Sequence, residues 1–150
     1  MKVVIQKTTK ASVTVDSKVV GSIDKGLVVL VGFTHDDTIE DLDKMVDKIV
    51  NLRIFDDENG VMNRSLLDEQ GSILSISQFT LYADTKKGRR PSYINALNGE
   101  EAVKLYDAFN KKLAIYAPVE TGIFGADMKV ELLNDGPTTI IIESEKRTKI

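Results

Sequence analysis

Ser77, Gln78 and Thr80 stand out as polar groups set into an apolar run, Ile73-Leu74-Ser75-Ile76-Ser77-Gln78-Phe79-Thr80-Leu81-Tyr82-Ala83. The start of that run reads as a buried strand. Hydroxyls and amides at the end of such a strand must find partners or serve a ligand, because burying them unpaired costs free energy. The sequence fits either outcome: a satisfied strand end meeting a turn, or a site. A second stretch, Lys86-Lys87-Gly88-Arg89-Arg90-Pro91, packs cations closely and suits either solvent or phosphate groups. Phe79, Tyr82 and Tyr93 lie near it in sequence and offer faces for stacking on a base, with core packing as the simpler use. The third stretch is Asn134-Asp135-Gly136-Pro137, ordinarily a turn, in which proline admits a cis bond that would redirect the preceding carbonyls.

What the chain lacks narrows the chemistry further. Its 150 residues include no cysteine and one histidine. Thiol nucleophiles, disulfides and thiolate metal sites drop out together, and a cluster of imidazoles is impossible within a subunit. A Ser-His-Asp triad would need His35, which lies in an acidic loop before a helix and reads as an ordinary loop residue. Asp56-Asp57-Glu58 lacks the spacing and terminal glutamate of an EF-hand loop. Gly122 and Gly125 are too few and wrongly spaced for a dinucleotide fingerprint. No metal and no cofactor is expected.

The elements that must position these stretches follow from hydrophobic periodicity. Lys2 to Val15 alternates as a strand with Val3, Ile5, Val13 and Val15 inward. Asp16-Ser17 turns it back into a second arm over Lys18 to Ile23. Leu27 to Phe33 is apolar on both faces and belongs mid-sheet, covered on both sides. A helix is predicted from about Thr38 to Asn51, with Asp37 and Glu40 at capping-box spacing and a stripe of Ile39, Leu42, Met45, Val46, Ile49 and Val50. Leu52 to Phe55 reads as a short strand ending in an acidic turn, and Leu66-Leu67 as one helical turn. A second helix runs from Asn98 to about Tyr116, stripe Ala102, Leu105, Phe109 and Leu113, and Pro118 stops it. Val119 to Thr121 is a further short strand. Met128 to Leu133 and Thr138 to Ser144 are predicted as two strands joined by Asn134-Asp135-Gly136-Pro137, and Glu145 to Ile150 as a loose tail. Helices between groups of strands indicate a mixed α/β fold rather than a purely parallel one.

Residues 1–150 are expected to form one domain, long enough to bury roughly two thirds of the unfolded surface. Hydrophobic residues at 42% and charged residues at 29% describe an ordinary globular chain. A formal net charge of -3 argues against broad, non-specific nucleic-acid binding while leaving room for a local basic patch. The apolar runs are too short to span a bilayer and no leader pattern appears, so a cytoplasmic protein without a membrane partner is expected.

Taken in order, these segments resemble the D-aminoacyl-tRNA deacylase family. Its Ser-Gln-x-x-Leu motif is met by Ser77-Gln78-Phe79-Thr80-Leu81, and its Asn-x-Gly-Pro motif by Asn134-Asp135-Gly136-Pro137 followed by Thr138-Thr139. Further matches are Leu52-Arg53-Ile54-Phe55, Met62-Asn63 with Ser65-Leu66-Leu67-Asp68, Lys87-Gly88 with Arg90-Pro91, and Thr121-Gly122 with Phe124-Gly125-Ala126 and Met128. Each motif is short; the ordered set, from Val3 to about Ser144, is specific. The resemblance implies a homodimer of largely antiparallel, layered, barrel-like sheets with two main helices. The implied activity is hydrolysis of the ester joining a D-amino acid, or glycine, to the tRNA 3′-terminal ribose. It implies that Gly136-Pro137 is a cis dipeptide reaching into the neighbouring subunit's pocket, where its carbonyls face the substrate's α-ammonium group and an L side chain would clash.

By the same resemblance, backbone amides around Phe79 and Thr80 hold the developing oxyanion, with Ser77 and Gln78 bracing the pocket. Thr80 Oγ is rated a positioning group rather than a nucleophile, since no base stands beside it in sequence. Phe124 and Met128 would line a terminal-adenosine pocket, Lys86, Lys87 and Arg90 would meet phosphates, and Asn134 belongs to the substrate-binding motif. Two positions depart from the family pattern. Lys7 stands where arginine is usual and offers a point charge rather than a planar fork for bracing Gly136-Pro137. Thr138 stands where valine is common and, with β-branching kept, is expected to change little. Two other readings stay open: a proofreading module for mischarged L-aminoacyl-tRNA, and a non-catalytic nucleic-acid adaptor using the basic loop.

Overall fold

The computed structural model describes residues 1–145. Its spine is β1 (Lys2–Val15), which is paired along both edges. On one edge the first half lies antiparallel to β3 (Gly26–Gly32) and the second half to β2 (Lys18–Ile23). On the other edge it runs antiparallel to β8 (Lys129–Glu143). Beyond β3 the sheet continues in parallel through β6 (Ser72–Ser77) to β7 (Val119–Thr121). There it curls back until a Cβ placed on Gly21 of β2 would lie 2.8 Å from Thr121 O. The result is the barrel-like, mixed α/β sheet expected from the sequence, with β4 (Phe55–Asp56) and β5 (Met62–Arg64) as a separate small hairpin.

The curled sheet separates two apolar cores. Leu27, Val29 and Val31 of β3 face the helices with Val3, Ile5 and Ile73, while Val28, Leu74, Ile76, Ala11 and Val13 fill the barrel side. The expected inward positions of β1 therefore serve opposite cores at its two ends, and Val15 is only half-buried. The switch occurs where the pairing with β8 shifts register, between Gln6 and Ala11. There Thr8 Oγ1 donates to Lys10 O at 2.8 Å and accepts from Lys10 N at 3.1 Å, a bulge that turns the strand over.

One prediction about β8 was wrong. Met128 to Leu133 and Thr138 to Ser144 do not form a hairpin; both halves lie on β1 in the same direction, as parts of one strand. Asn134 to Pro137 has the composition of a reversing turn, but long-range pairing makes it an outward bulge instead.

The helices sit on the β3 and β6 face. α1 (Ile39–Asn51) buries Leu42, Met45, Val46, Ile49 and Val50, while Ile39 is exposed, contrary to expectation. Its cap is one residue later than predicted: Thr38 N donates to Asp41 Oδ2 at 2.8 Å. Asp37 is committed elsewhere, to the Met1 ammonium at 2.8 Å and to Thr34 N at 2.7 Å. α3 (Gly99–Ala114) is capped by Asn98, whose Oδ1 accepts from Glu101 N at 3.0 Å, as predicted. It buries Tyr106 where Leu105 was expected. Leu52 to Ile54 are not strand; only Phe55 and Asp56 pair. Among the described residues no helix is long and apolar enough to cross a membrane. The predicted loose tail lies, apart from Glu145, outside the described residues.

The single-turn helix α2 (Leu66–Glu69) leads the chain into β6 and is closed by reciprocal bonds, Ser65 N to Asp68 Oδ2 at 2.9 Å and Asp68 N to Ser65 Oγ at 3.1 Å. The Ser65 amide, and then its hydroxyl, hold the Asp68 carboxyl below its ordinary value of 3.8. A depressed folded value means that this stabilisation is full above the unfolded pKa and is lost as the pH falls through the folded one. Asp68→Asn is expected to lower the urea midpoint near neutrality and to shrink the fall in stability below about pH 4, a carboxylate's usual range. Melts across the acid range measure both.

Candidate active site

β6 leaves the sheet after Ser77. Gln78 N still reaches Val31 O at 2.7 Å, and then the chain winds into a 3₁₀ turn over Phe79–Tyr82. The bonds closing the turn are donated by Leu81 N to Gln78 O at 3.2 Å and by Ala83 N to Thr80 O at 3.0 Å. The amides of Phe79 and Thr80 precede these and have no acceptor within the turn, as at any helix start. Gln78 Nε2 donates to Thr80 Oγ1, so the threonine hydroxyl is tied to an amide and not to a base.

The turn can pack flush against β3 because residue 32 is glycine. A Cβ there would lie 2.9 Å from Gln78 O and 3.3 Å from both Leu81 Cβ and Tyr82 Cδ2. Gly32 also borders a cavity of about 400 Å³ together with Ser77, Gln78, Phe79, Phe124 and Met128. Five predicted site residues from two distant stretches thus share one recess. Phe124 is backed by Tyr106, ring centroids 5.9 Å apart. The Tyr106 hydroxyl donates to Ser75 O at 2.7 Å in a buried setting, and burial pushes its pKa up. Tyr106 and Gly32 escaped sequence reasoning. The only signal for Gly32 was a glycine ending an otherwise unbroken apolar run.

Other predicted residues lie apart from this cavity in the same chain. Asn134, Gly136 and Pro137 are not among its lining residues. The Gly136-Pro137 peptide bond is cis, both residues are exposed, and Gly136 has φ +125°. Because φ is positive, and because a Cβ would collide with Thr138 Oγ1, this position suits glycine alone. Asn134 does not reach outward: Oδ1 accepts from Thr138 N at 2.8 Å and Nδ2 donates to Thr139 Oγ1 at 2.9 Å, which ties the two ends of the bulge together. Lys7 is buried with Nζ 5.9 Å from the Phe55 ring centroid. Among the described residues no hydrogen bond joins it to Gly136 or Pro137.

Lys86, Lys87 and Arg90 are exposed on a loop whose neck is closed by Asp84 N to Ser92 O at 2.7 Å and Ser92 N to Asp84 O at 2.8 Å. Tyr82 is buried and Phe79 is exposed, so of the aromatics near the basic loop the first serves packing and the second does not. His35 has the loop role expected of it, with Nε2 2.8 Å from Ile94 O. A larger recess of about 640 Å³ lies near the chain start, but its acidic lining, including Asp36, Asp41, Glu143 and Glu145, repels an anionic substrate, and it holds no predicted site residue. Among the described residues no group of acidic, cysteine or histidine side chains is placed to hold a metal ion.

The fold is a mixed α/β domain built on a nearly closed, barrel-like sheet. The sequence pattern of the D-Tyr-tRNA(Tyr) deacylase family matches residues 4–143, and the chain belongs to that family, whose members hydrolyse the ester bond of aminoacyl-tRNA. A solved c-Myc DNA unwinding element binding protein is 43% identical, with a TM-score of 0.92 over 97% of this chain and 100% of the other. A probable eukaryotic D-amino acid tRNA deacylase superimposes with a TM-score of 0.81 over 94% and 97% of the two chains, at 21% identity, and so speaks to the fold. The activity is deacylation of D-aminoacyl-tRNA.

If main-chain amides do the chemistry, the seat of the 3₁₀ turn matters more than any side chain. Gly32→Ala pushes on Gln78 O and shifts the amides of Phe79 and Thr80 together. It is expected to lower kcat by about a hundredfold, the scale of losing one oxyanion donor, while costing about 1–3 kcal/mol of stability as local overpacking. Deacylation assays paired with denaturant melts separate the two effects.

Proposed function

We propose that this enzyme removes D-amino acids and glycine from tRNA and spares L-aminoacyl-tRNA, with Gly136-Pro137 of a second copy completing each cavity in a homodimer. The observation that carries this reading is the bulge itself: an exposed main-chain projection, clamped at its base by Asn134, that does not pack on its own chain's cavity. A rigid projection aimed away from its own molecule suits insertion into another. Its carbonyls would accept from the substrate's α-ammonium group. With that group and the ester carbonyl both held, the α-hydrogen and the side chain have fixed directions. An L side chain would run into the main chain of the bulge, and a D side chain would point outward. Glycine has no side chain to be rejected.

The chemistry asks little of side chains. An ester next to an α-ammonium group is already activated, so a water positioned beside its carbonyl needs mainly a place for the negative charge to go. The amides of Phe79 and Thr80 supply that place, and the 2′-hydroxyl of the terminal ribose assists the water. Ser77 and Gln78 hold the turn, Phe124 and Met128 border the adenosine, and Lys86, Lys87 and Arg90 meet phosphates.

Wild-type enzyme is expected to hydrolyse D-tyrosyl-tRNA and glycyl-tRNA without added metal and to leave L-tyrosyl-tRNA intact; equal turnover of the two enantiomers removes Gly136-Pro137 from the account. Gly136→Ala displaces the bulge and is expected to narrow the D-over-L ratio at least about tenfold, one lost steric contact of ordinary size. Thr80→Ala is expected to keep kcat within about tenfold of wild type, whereas removing a true nucleophile costs at least about 10⁴. A loss on that second scale would make Thr80 the nucleophile.

The relative named for binding a DNA unwinding element favours a second reading, in which the basic loop holds nucleic acid that is not hydrolysed. Binding of DNA with no turnover of any aminoacyl-tRNA would support it.

A further inference from the structure

Phe79 and Tyr93 are both exposed, at 56% and 40%, and they touch each other edge to face with ring centroids 5.1 Å apart and planes at 68°. Large exposed rings in contact with each other are uncommon outside binding surfaces. Phe79 borders the cavity and Tyr93 does not, so the pair forms a step leading out of it. The step is also firmly seated. Leu97 N donates to Phe33 O at 3.0 Å and the Ile94 carbonyl is bonded by His35, which fixes the segment after Tyr93 to the end of β3. Immediately before Tyr93 the paired Asp84 and Ser92 close the neck of the basic loop. Lys86, Lys87, Arg89 and Arg90 are therefore held beside the step, and among the described residues none of them is in an ion pair.

We infer that this step stacks the base of the nucleotide that precedes the terminal adenosine of the tRNA. The inference rests on the reading of the cavity as the adenosine pocket. A strand that places its last nucleotide in the cavity leaves past Phe79, and the next base meets the corner made by the two rings. Because the rings are nearly perpendicular, the corner offers one flat face and one edge, room for a single base. Unpaired bases stack on exposed aromatic rings whatever their identity, and the neighbouring cations suit the phosphates on either side of that nucleotide. The proposed occupant is single-stranded RNA; a second copy of this chain covering the same rings is the competing outcome.

The test compares D-tyrosyl-tRNA with D-tyrosyl-adenosine, which lacks the preceding nucleotide. Tyr93→Ser is expected to raise KM for the tRNA about tenfold relative to KM for the adenosine ester, the scale of one lost stacking contact, and Tyr93→Phe to restore the wild-type ratio. An unchanged ratio overturns the inference, and so does a smaller sedimenting species for Tyr93→Ser, which would place the ring between copies. Hydrolysis of neither ester by the wild type would strike the underlying reading instead. A binding arm is independent of it: an uncharged RNA hairpin with a single-stranded 3′ end, with and without a base at the penultimate position. Wild type is expected to lose about tenfold in affinity for the abasic form and Tyr93→Ser to show no such difference; wild-type indifference to the missing base also overturns the inference.

Discussion

The constraint on which the rest of this molecule depends is the pairing of β8 along β1. While β1 advances from Gln6 to Thr8, antiparallel β8 passes from Thr139 back to Asn134, so residues 135–138 have no partner on β1 and must leave the sheet. A second register shift just beyond it, between Thr8 and Ala11, lets β1 change faces, so that Val3 and Ile5 pack under the helices while Ala11 and Val13 line the barrel. Two adjacent mismatches thus divide the work: the extra residues of β8 project Gly136 and Pro137 outward, and the bulge of β1 lets the sheet curl around a second core. Pairing on both flanks keeps the projection in place, because any slip of β8 would move a whole face of side chains from core to solvent.

The cavity follows a similar logic, with main chain in the position usually given to side chains. The donors proposed for it are the first amides of a short turn, and their direction is fixed by what the turn rests on. Gln78 O lies against Gly32, Gln78 N is held by Val31 O, and the hydroxyl of Thr80 is held by Gln78 Nε2. Behind Phe124, Tyr106 ties α3 to the carbonyl of Ser75 on β6. Backbone donors fixed in this way need no rearrangement when charge develops on a substrate oxygen, and that preorganisation makes such sites effective.

Much of this was legible in the sequence where short-range pattern decides. The two buried faces of β3, the turn at Asp16 and Ser17, and the cap at Asn98 follow from periodicity and turn chemistry, and both turn residues do adopt positive φ. The failures share a cause. Asp37 and Thr38 are both good cap formers, and Thr38 takes the role because Asp37 is claimed by Met1 and Thr34, a long-range choice. Leu105 and Tyr106 fit the α3 stripe about equally, and Tyr106 is buried because its hydroxyl finds Ser75 O. Asn134 to Pro137 has turn composition, and only its neighbours on β1 make it a bulge. The motifs supplied the candidate residues, but pairing and packing decided which of them share a cavity.

The two departures from the family pattern meet at that bulge. Lys7 lies between Gln6 and Thr8, directly under it, and its ammonium group sits over Phe55 rather than on Gly136 or Pro137. Thr138 is buried, and among the described residues its Oγ1 has no hydrogen-bond partner. Valine there would fill the same space without that hydroxyl, whose burial without a partner costs about 1–3 kcal/mol. With Lys7 turned away, the bulge is held by the two bonds of Asn134, whose Oδ1 accepts from Thr138 N and whose Nδ2 donates to Thr139 Oγ1. In this chain the stiffness of the projection therefore rests on a neutral amide rather than on a cation. It should then respond little to ionic strength, since salt screens charges far more than it weakens an amide-to-backbone hydrogen bond.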